Sequence, residues 1–271
     1  MSAELEQHLS PAAAADLAAL VDGVALIGTQ PTTFMQLNAC LLDGGAPIGQ
    51  IVGIVERDAV ITGRILQLVN SSYFGLPRRL ADLRQAVTLL GTAMLRDLVL
   101  TAEAFAPFDP STVVPELPLT AVQDHGAATG NWARRFTTDR DSAGTALTSA
   151  LLQDLGQVVL AKARPEVYRP MVVTGRAGAN LHLLERDAWG YTHADVGAEL
   201  LSRWELPYAL VAAVAGHHDA PPAPGSAEPL SAADAVRLGR QCARDEAPDP
   251  FDEDTDLADG WTRPAGSAAS R

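Results

Sequence analysis

Apolar residues recur along the chain at three- and four-residue spacing, and no stretch alternates apolar and polar side chains over strand length. This pattern predicts an all-α fold of about a dozen helices without a sheet. The first helix is Ala-rich and opens at Pro11, a residue tolerated in a first turn because the N–H it lacks has no helical partner there. After a loop over residues 28–31, Thr32 or Thr33 is placed to cap a helix reaching Leu42. From Ile48 the pattern is dense. Ile51, Ile54 and Val55 share a face. Asp58 is placed to cap a helix carrying Ile61, Ile65, Leu66, Leu68 and Val69, and Asn70-Ser71-Ser72 with Gly75 and Pro77 ends it. Asp82 and Gln85 form a capping-box-like start. Val87, Leu89 and Leu90 follow, and after Gly91 come Met94, Leu95, Leu98 and Val99, completing a run of short helices over 48–105.

Four prolines make residues 107–118 a loop that separates two lobes. A second helical block follows, with helices expected over 120–136, 144–164, 166–173, 181–189, 193–204 and 207–217. The Pro-rich stretch 221–225 punctuates the chain, and a last helix is expected over 231–243. The organisation predicted is a helical extension (1–23), a two-lobed domain over 24–222 with lobes at 24–106 and 119–222, a C-terminal helix within 223–244, and an acidic tail (245–271). The tail is rich in Asp, Pro, Gly and Ser and is expected to be disordered, because it has too little apolar surface to bury.

Composition narrows this picture. Hydrophobic residues make up 47% and aromatics only 5%, a balance that favours helix packing over sheets. No apolar run reaches the roughly 18 residues of a membrane span, and the acidic residues 1–7 are followed by no apolar stretch, so neither a membrane association nor a secretory leader is expected. Cys40 and Cys242 lie far apart. A disulfide framework or cysteine-based zinc site is not expected, and a cytoplasmic location is. The net charge is −13, of which six negative charges fall in 245–271. An acidic surface repels phosphate backbones, so DNA and RNA are not expected as partners, whereas a small nucleotide in a local pocket remains compatible.

The chemistry-bearing residues are histidines and aspartates: His125, Asp154, His193 with Asp195, His217, His218 and Asp234. Imidazole and carboxylate suit divalent metals, and four to six such groups converging from different helices would make a hydrolytic centre. Each alone reads first as a cap, a surface residue or a hydrogen-bonded core residue. His217 and His218 also suit the dipole at a helix C-terminus. Asp154 differs, because Leu151-Leu152 and Val158-Val159-Leu160 flank it and a buried carboxylate needs a partner. A second constellation is Asn70, Ser71, Ser72, Tyr73, Phe74 and Gly75. Its polar residues can end a helix by bonding the backbone, and Gly75 supplies a positive φ. With Arg64, Arg78 and Arg79 the same stretch could instead be a recognition surface for a carboxylate or phosphate.

The stretch RDAVITGRILQLVNSSYFGLP at 57–77, continued by AVTLLGTAMLRDLVL at 86–100, resembles the signature of HDOD domains, a bacterial regulatory offshoot of the HD superfamily. LLQDLGQ at 151–157 is similar to the HD box, and THADVGAELLSRWELP at 192–207, ending at Gly216-His217-His218, to the distal portion. Together they cover about residues 24–222. The resemblance implies an HD-like C-terminal lobe in which His125 matches the first histidine, Gln153-Asp154 the His-Asp dyad, and His193, His217 and His218 the histidines of two-metal relatives. Asp234 is a weaker match to the late aspartate. Gln153 is the main departure: an amide is a poor ligand and no general base. Gln157 replaces a lysine that often follows the box. No Gly-Tyr-Pro follows His218, unlike the cyclic-dinucleotide phosphodiesterases of the superfamily.

The resemblance therefore implies a non-catalytic signal-transduction module with no catalytic residues. It would act through a signalling protein partner, with a small nucleotide and a homodimer as further partners left open. Its vestigial or candidate metal site is His125, Asp154, His193, His217, His218 and Asp234. The candidate binding surface is Arg64, Asn70, Ser71, Tyr73, Phe74, Arg78 and Arg79. No cofactor is expected beyond a divalent metal that the histidines leave open. The competing reading is a metal-dependent HD-type phosphohydrolase or phosphodiesterase with a degenerate dyad.

Overall fold

A computed structural model of the chain describes residues 9–25, 31–42, 46–70, 80, 83–108, 115–138, 140–223 and 229–246. These residues form fourteen α-helices, and no strand occurs among them. No helix of the described residues is long and apolar enough to cross a membrane. The chain divides into two compact units, one of residues 25–109 and one of residues 1–24 with 110–271.

The smaller unit carries α2 (Thr32–Leu42), α3 (Ile48–Val55), α4 (Ala59–Val69), α5 (Leu83–Leu90) and α6 (Thr92–Ala104). α6 packs against α2, α4 and α5, and Leu37, Ile65, Val69, Val87, Leu95, Leu98 and Phe105 are buried. Asp58 caps α4 as predicted, its Oδ1 accepting the Ile61 N–H at 3.0 Å. The cap of α2 differs from the expectation. Glu103 of α6 accepts the backbone N–H groups of Thr33 at 2.9 Å and Phe34 at 2.7 Å, in place of a threonine hydroxyl. A carboxylate is the stronger acceptor and its charge suits the helix N-terminus.

Two residues assigned to the candidate binding surface hold this unit together. Arg64 donates to the carbonyls of Phe105 at 2.8 Å and Ala106 at 3.3 Å, just past the end of α6. Asn70 donates to the Leu80 carbonyl at 2.9 Å and accepts the Leu80 N–H at 2.7 Å. Its amide thus acts like a peptide group, clasping the two ends of the segment between them. Ser71, Tyr73, Phe74, Arg78 and Arg79 lie outside the described residues, as do Asp82 and residues 247–271.

The larger unit carries α1 (Pro11–Ala25), α7 (Leu119–Ala133), α8 (Arg140–Leu152), α9 (Leu155–Ala163), α10 (Pro165–Arg176), α11 (Leu181–Trp189), α12 (His193–Arg203), α13 (Tyr208–Ala215) and α14 (Ala232–Glu246). The sequence sets both end helices apart from the domain; the structure packs both into this unit. In α1, Leu17 and Val21 are buried. Asp16 accepts two bonds from Arg164, both 2.7 Å, and one from the Tyr191 hydroxyl at 2.7 Å. Arg203 reaches Asp22 and, at 3.2 Å, the Ala18 carbonyl. α14 lies against α7, α8 and α13. At Gly239 a Cβ would stand 2.6 Å from both Ala133 N and Thr129 O, so only glycine allows this approach. An amphipathic helix must bury its apolar face, and neither the polar start nor the Pro-rich loop cancels that requirement.

Two further differences shape the site. The helix expected over 144–164 is broken: α8 ends at Leu152 and α9 starts at Leu155, with Asp154 at φ −96° and ψ 10° between them. The break aims α9 at the start of α12, where Gly156 meets the His193 backbone so closely that no Cβ would fit. And α13 ends at Ala215, so His217 and His218 occupy the turn beyond it rather than a helix.

Candidate metal centre

Asp154, at the break between α8 and α9, faces imidazoles from three places. Its Oδ2 is 3.9 Å from His125 Nε2 on α7. Its Oδ1 is 3.5 Å from His193 Nε2, at the first residue of α12, and 3.7 Å from His217 Nε2. His218 Nε2 stands 2.8 Å from His193 Nε2. Ligating atoms of His193, His217 and His218 lie within 4.8 Å of one another. Five of the six candidate residues thus come together. Asp234 instead bonds Ser231, at 2.6 Å to the hydroxyl, in a box that caps α14, and pairs with Arg237 at 3.0 Å. The Pro-rich stretch before α14 made its alignment weak, and a carboxylate three residues after a serine is an ordinary cap.

The imidazoles are held from outside. Glu185 of α11 accepts from His193 Nδ1 at 2.7 Å and from the His193 backbone N–H at 2.7 Å, while the Tyr168 hydroxyl donates to its other oxygen at 2.7 Å. His217 Nδ1 donates to the Val214 carbonyl at 2.7 Å. In both rings Nδ1 is occupied and Nε2 faces Asp154, the orientation that a metal-binding histidine takes. Burial opposes charge on His193, but Glu185 and Asp154 outweigh it and raise its pKa to about 9. Burial first, then the Arg240 guanidinium, holds His218 well below the ordinary imidazole value. Burial also lowers His217. Burial pushes the Asp154 carboxyl up, yet His193 and His217 more than offset it and hold it well below the usual carboxylate range.

These residues fit one divalent ion. Asp154 Oδ2 and His217 Nε2 are buried and make no hydrogen bond. Two ligands each about 2.1 Å from an ion stand roughly 3–3.5 Å apart, near the 3.5 and 3.7 Å seen between Asp154 Oδ1 and two of the imidazoles. Three or four imidazoles with one carboxylate suit a borderline transition metal, which supplies Lewis acidity and a more acidic bound water. Gln153, fully buried, donates its amide to Thr129 Oγ1 at 3.2 Å, and Gln157 donates to Asp154 Oδ1 at 2.9 Å.

Sequence reasoning missed Glu185, Tyr168 and His182, whose ring centroid is 4.1 Å from that of His218. On α11 only the fold marks two of them: His182 and Glu185 are buried while Leu183 is exposed, and residues three apart share a helix face. It also missed Arg237, Arg240 and Arg244 on α14. These line a pocket of about 170 Å³ together with His125, His217, His218 and Asp219.

The larger unit is thus all-helical and gathers histidines around one aspartate at a helix break. The chain belongs to the HDOD domain family, whose family model matches residues 27–220. It is 25% identical over 217 residues to an uncharacterized protein of Treponema pallidum (strain Nichols), covering 79% of this chain and 42% of that one, so it spans less than half of that relative's length. Among solved structures it resembles an HDOD domain protein of unknown function from Geobacter sulfurreducens, with a TM-score of 0.64, 21% identity and 89% and 81% of the two chains covered. It also resembles a candidate phosphohydrolase from Shewanella amazonensis SB2B, with a TM-score of 0.61, 24% identity and 84% and 81% covered. A candidate signal transduction protein from Marinobacter aquaeolei VT8 gives a TM-score of 0.66 at 18% identity, with 91% and 58% covered. At these identities the likeness is one of fold.

Proposed function

We propose that this chain is a non-catalytic signal-transduction module that acts through contact with a signalling protein, and that its histidine cluster is the remnant of an HD metal centre. The observation that carries this reading is Gln153. At the position of the dyad histidine it presents a neutral amide whose donor is taken by Thr129. An amide replaces neither the imidazole ligand nor a proton acceptor. Gln157 bonds Asp154 Oδ1 in a similar neutral fashion. The cluster then works as a buried polar network that fixes α7, α9 and α12, and a single divalent ion is its compatible ligand. The second reading, a metal-dependent phosphohydrolase, is favoured by the convergence of three imidazoles on Asp154, with a fourth, His218, beside His193.

One assay separates the two. The full chain, loaded with zinc or manganese, is offered bis(p-nitrophenyl) phosphate beside Asp154→Ala and Gln153→His. The regulatory reading expects wild type to turn over no faster than Asp154→Ala, and Gln153→His to gain metal affinity with an unchanged fold. Hydrolysis by wild type that Asp154→Ala abolishes would overturn it.

A further inference from the structure

We infer that the seat of α1 on the larger unit is a helix-docking groove, and that α1 is its built-in occupant, displaceable by an amphipathic, carboxylate-bearing helix of a partner protein. α1 lies before the residues that match the family, 27–220, whereas Arg164, Tyr191 and Arg203, which receive it, lie within them. These three donors are placed by the larger unit itself. Arg164 stands over the Trp189 ring, 5.3 Å from its centroid, and Tyr191 stacks on the same ring with centroids 6.0 Å apart. Arg203 is held at 2.8 Å by Glu199, four residues earlier on α12 and only 1% exposed. A donor set fixed in advance spares its ligand the cost of ordering it.

α1 meets this frame as a docked ligand would. Ala13, Leu17, Leu20 and Val21, at i, i+4, i+7 and i+8, are buried. They form the narrow apolar stripe of a helix laid in a groove. The helix has two acidic residues, and neither serves its own stability. Its first turn has none, and Asp22 falls in the last turn, where a negative charge opposes the helix dipole. Both serve the seat instead. Asp16 accepts from Arg164 and from the Tyr191 hydroxyl, and Asp22 from Arg203. The Asp16 and Asp22 side chains are 46% and 70% exposed, and ion pairs so exposed add little stability. Charge at the rim selects the occupant, while the apolar stripe holds it. That a displacing helix carries a signal rests on the regulatory reading; that the seat accepts a helix does not.

The test is fluorescence anisotropy of a labelled synthetic peptide of residues 9–25, titrated with the full chain and with its Leu17→Ala variant. In wild type the tethered α1 competes at an effective concentration on the order of millimolar, so weak binding is expected. Leu17→Ala loosens the internal helix and leaves the seat whole, so its affinity for the peptide should rise about tenfold or more. A peptide carrying Asp16→Asn and Asp22→Asn should bind that variant about threefold more weakly. A single cooperative unfolding transition checks that the variant is folded. Should it fail, Asp16→Ala opens the seat more gently, with a rise of about threefold. No saturable binding by a folded, opened chain, or no gain over wild type, overturns the groove. Equal binding of the two peptides overturns its carboxylate chemistry. A wild-type dimer that the peptide dissociates puts a second copy's α1 in the seat and overturns the foreign helix. Peptide binding by a chain that also hydrolyses the phosphodiester keeps the groove and overturns the regulatory reading alone.

Discussion

The polar residues of the smaller unit and those of the larger one do opposite things. Arg64 and Asn70 belong to the longest and most specific stretch of family resemblance, and each places its donors or acceptors on backbone groups of its own unit. His125, Asp154, His193, His217 and His218 come from short, scattered matches, and they face one another, with Asp154 Oδ2 and His217 Nε2 buried and making no hydrogen bond. A long contiguous motif here marks a scaffold whose local hydrogen bonding must be satisfied in one piece. The site is assembled from residues far apart in sequence because a cluster needs several helices to converge.

That contrast is best tested by substitutions that should act on one region and not the other. The largest effect is expected from Glu185→Ala. It leaves the Tyr168 hydroxyl and two His193 donors facing a buried gap, and breaking such a buried pair typically costs about 3–5 kcal/mol. Thermal or urea unfolding would measure it, and metal affinity should fall with it, by about 10–100-fold in the milder Glu185→Gln. Asn70→Ala comes next. It strands both backbone groups of Leu80, and each unsatisfied group costs about 1–3 kcal/mol where it is buried, less where it stays partly wet. Zinc affinity by competition with a chromophoric chelator should not change. If Asn70→Ala altered zinc binding while Glu185→Gln did not, the division between scaffold and site would be wrong.

A third expectation concerns pH. His193 titrates at about 9 in the folded chain against an ordinary 6.5. A raised value means that charged His193 adds stability fully present below the ordinary value and lost as pH rises through about 9. The EDTA-treated chain should therefore melt at a lower temperature near pH 10 than near pH 7, and the difference should shrink in Glu185→Gln. The smallest effect is expected from Asp16→Asn on α1. Its pair with Arg164 is partly exposed, so stability should fall by no more than about 1 kcal/mol, while zinc affinity stays as it is.

The helical class and most helix positions were legible because periodicity alone reports them. The break at Asp154 was not: Leu151 to Leu160 reads as one apolar helix, and only the tertiary approach of Gly156 to His193 demands the interruption. The histidines could be named from resemblance, and Asp154 from its apolar flanks. Glu185 and Tyr168 could not, since a carboxylate and a phenol that serve another residue carry no pattern of their own. The arginines of α14 were visible as a spacing, but their sign matters only once the fold sets them beside His217 and His218.

Gly239 bears on how this protein can diversify. α14 is seated on α7 backbone to backbone at a residue with no side chain, so the helix keeps its register whatever its outward positions become. Arg237 adds a polar tie at the other side of the helix, its Nε donating to the Gly216 carbonyl at 2.9 Å. Outward positions of α14 can therefore differ between related chains where Gly239 cannot, since any side chain there would unseat the helix as a whole.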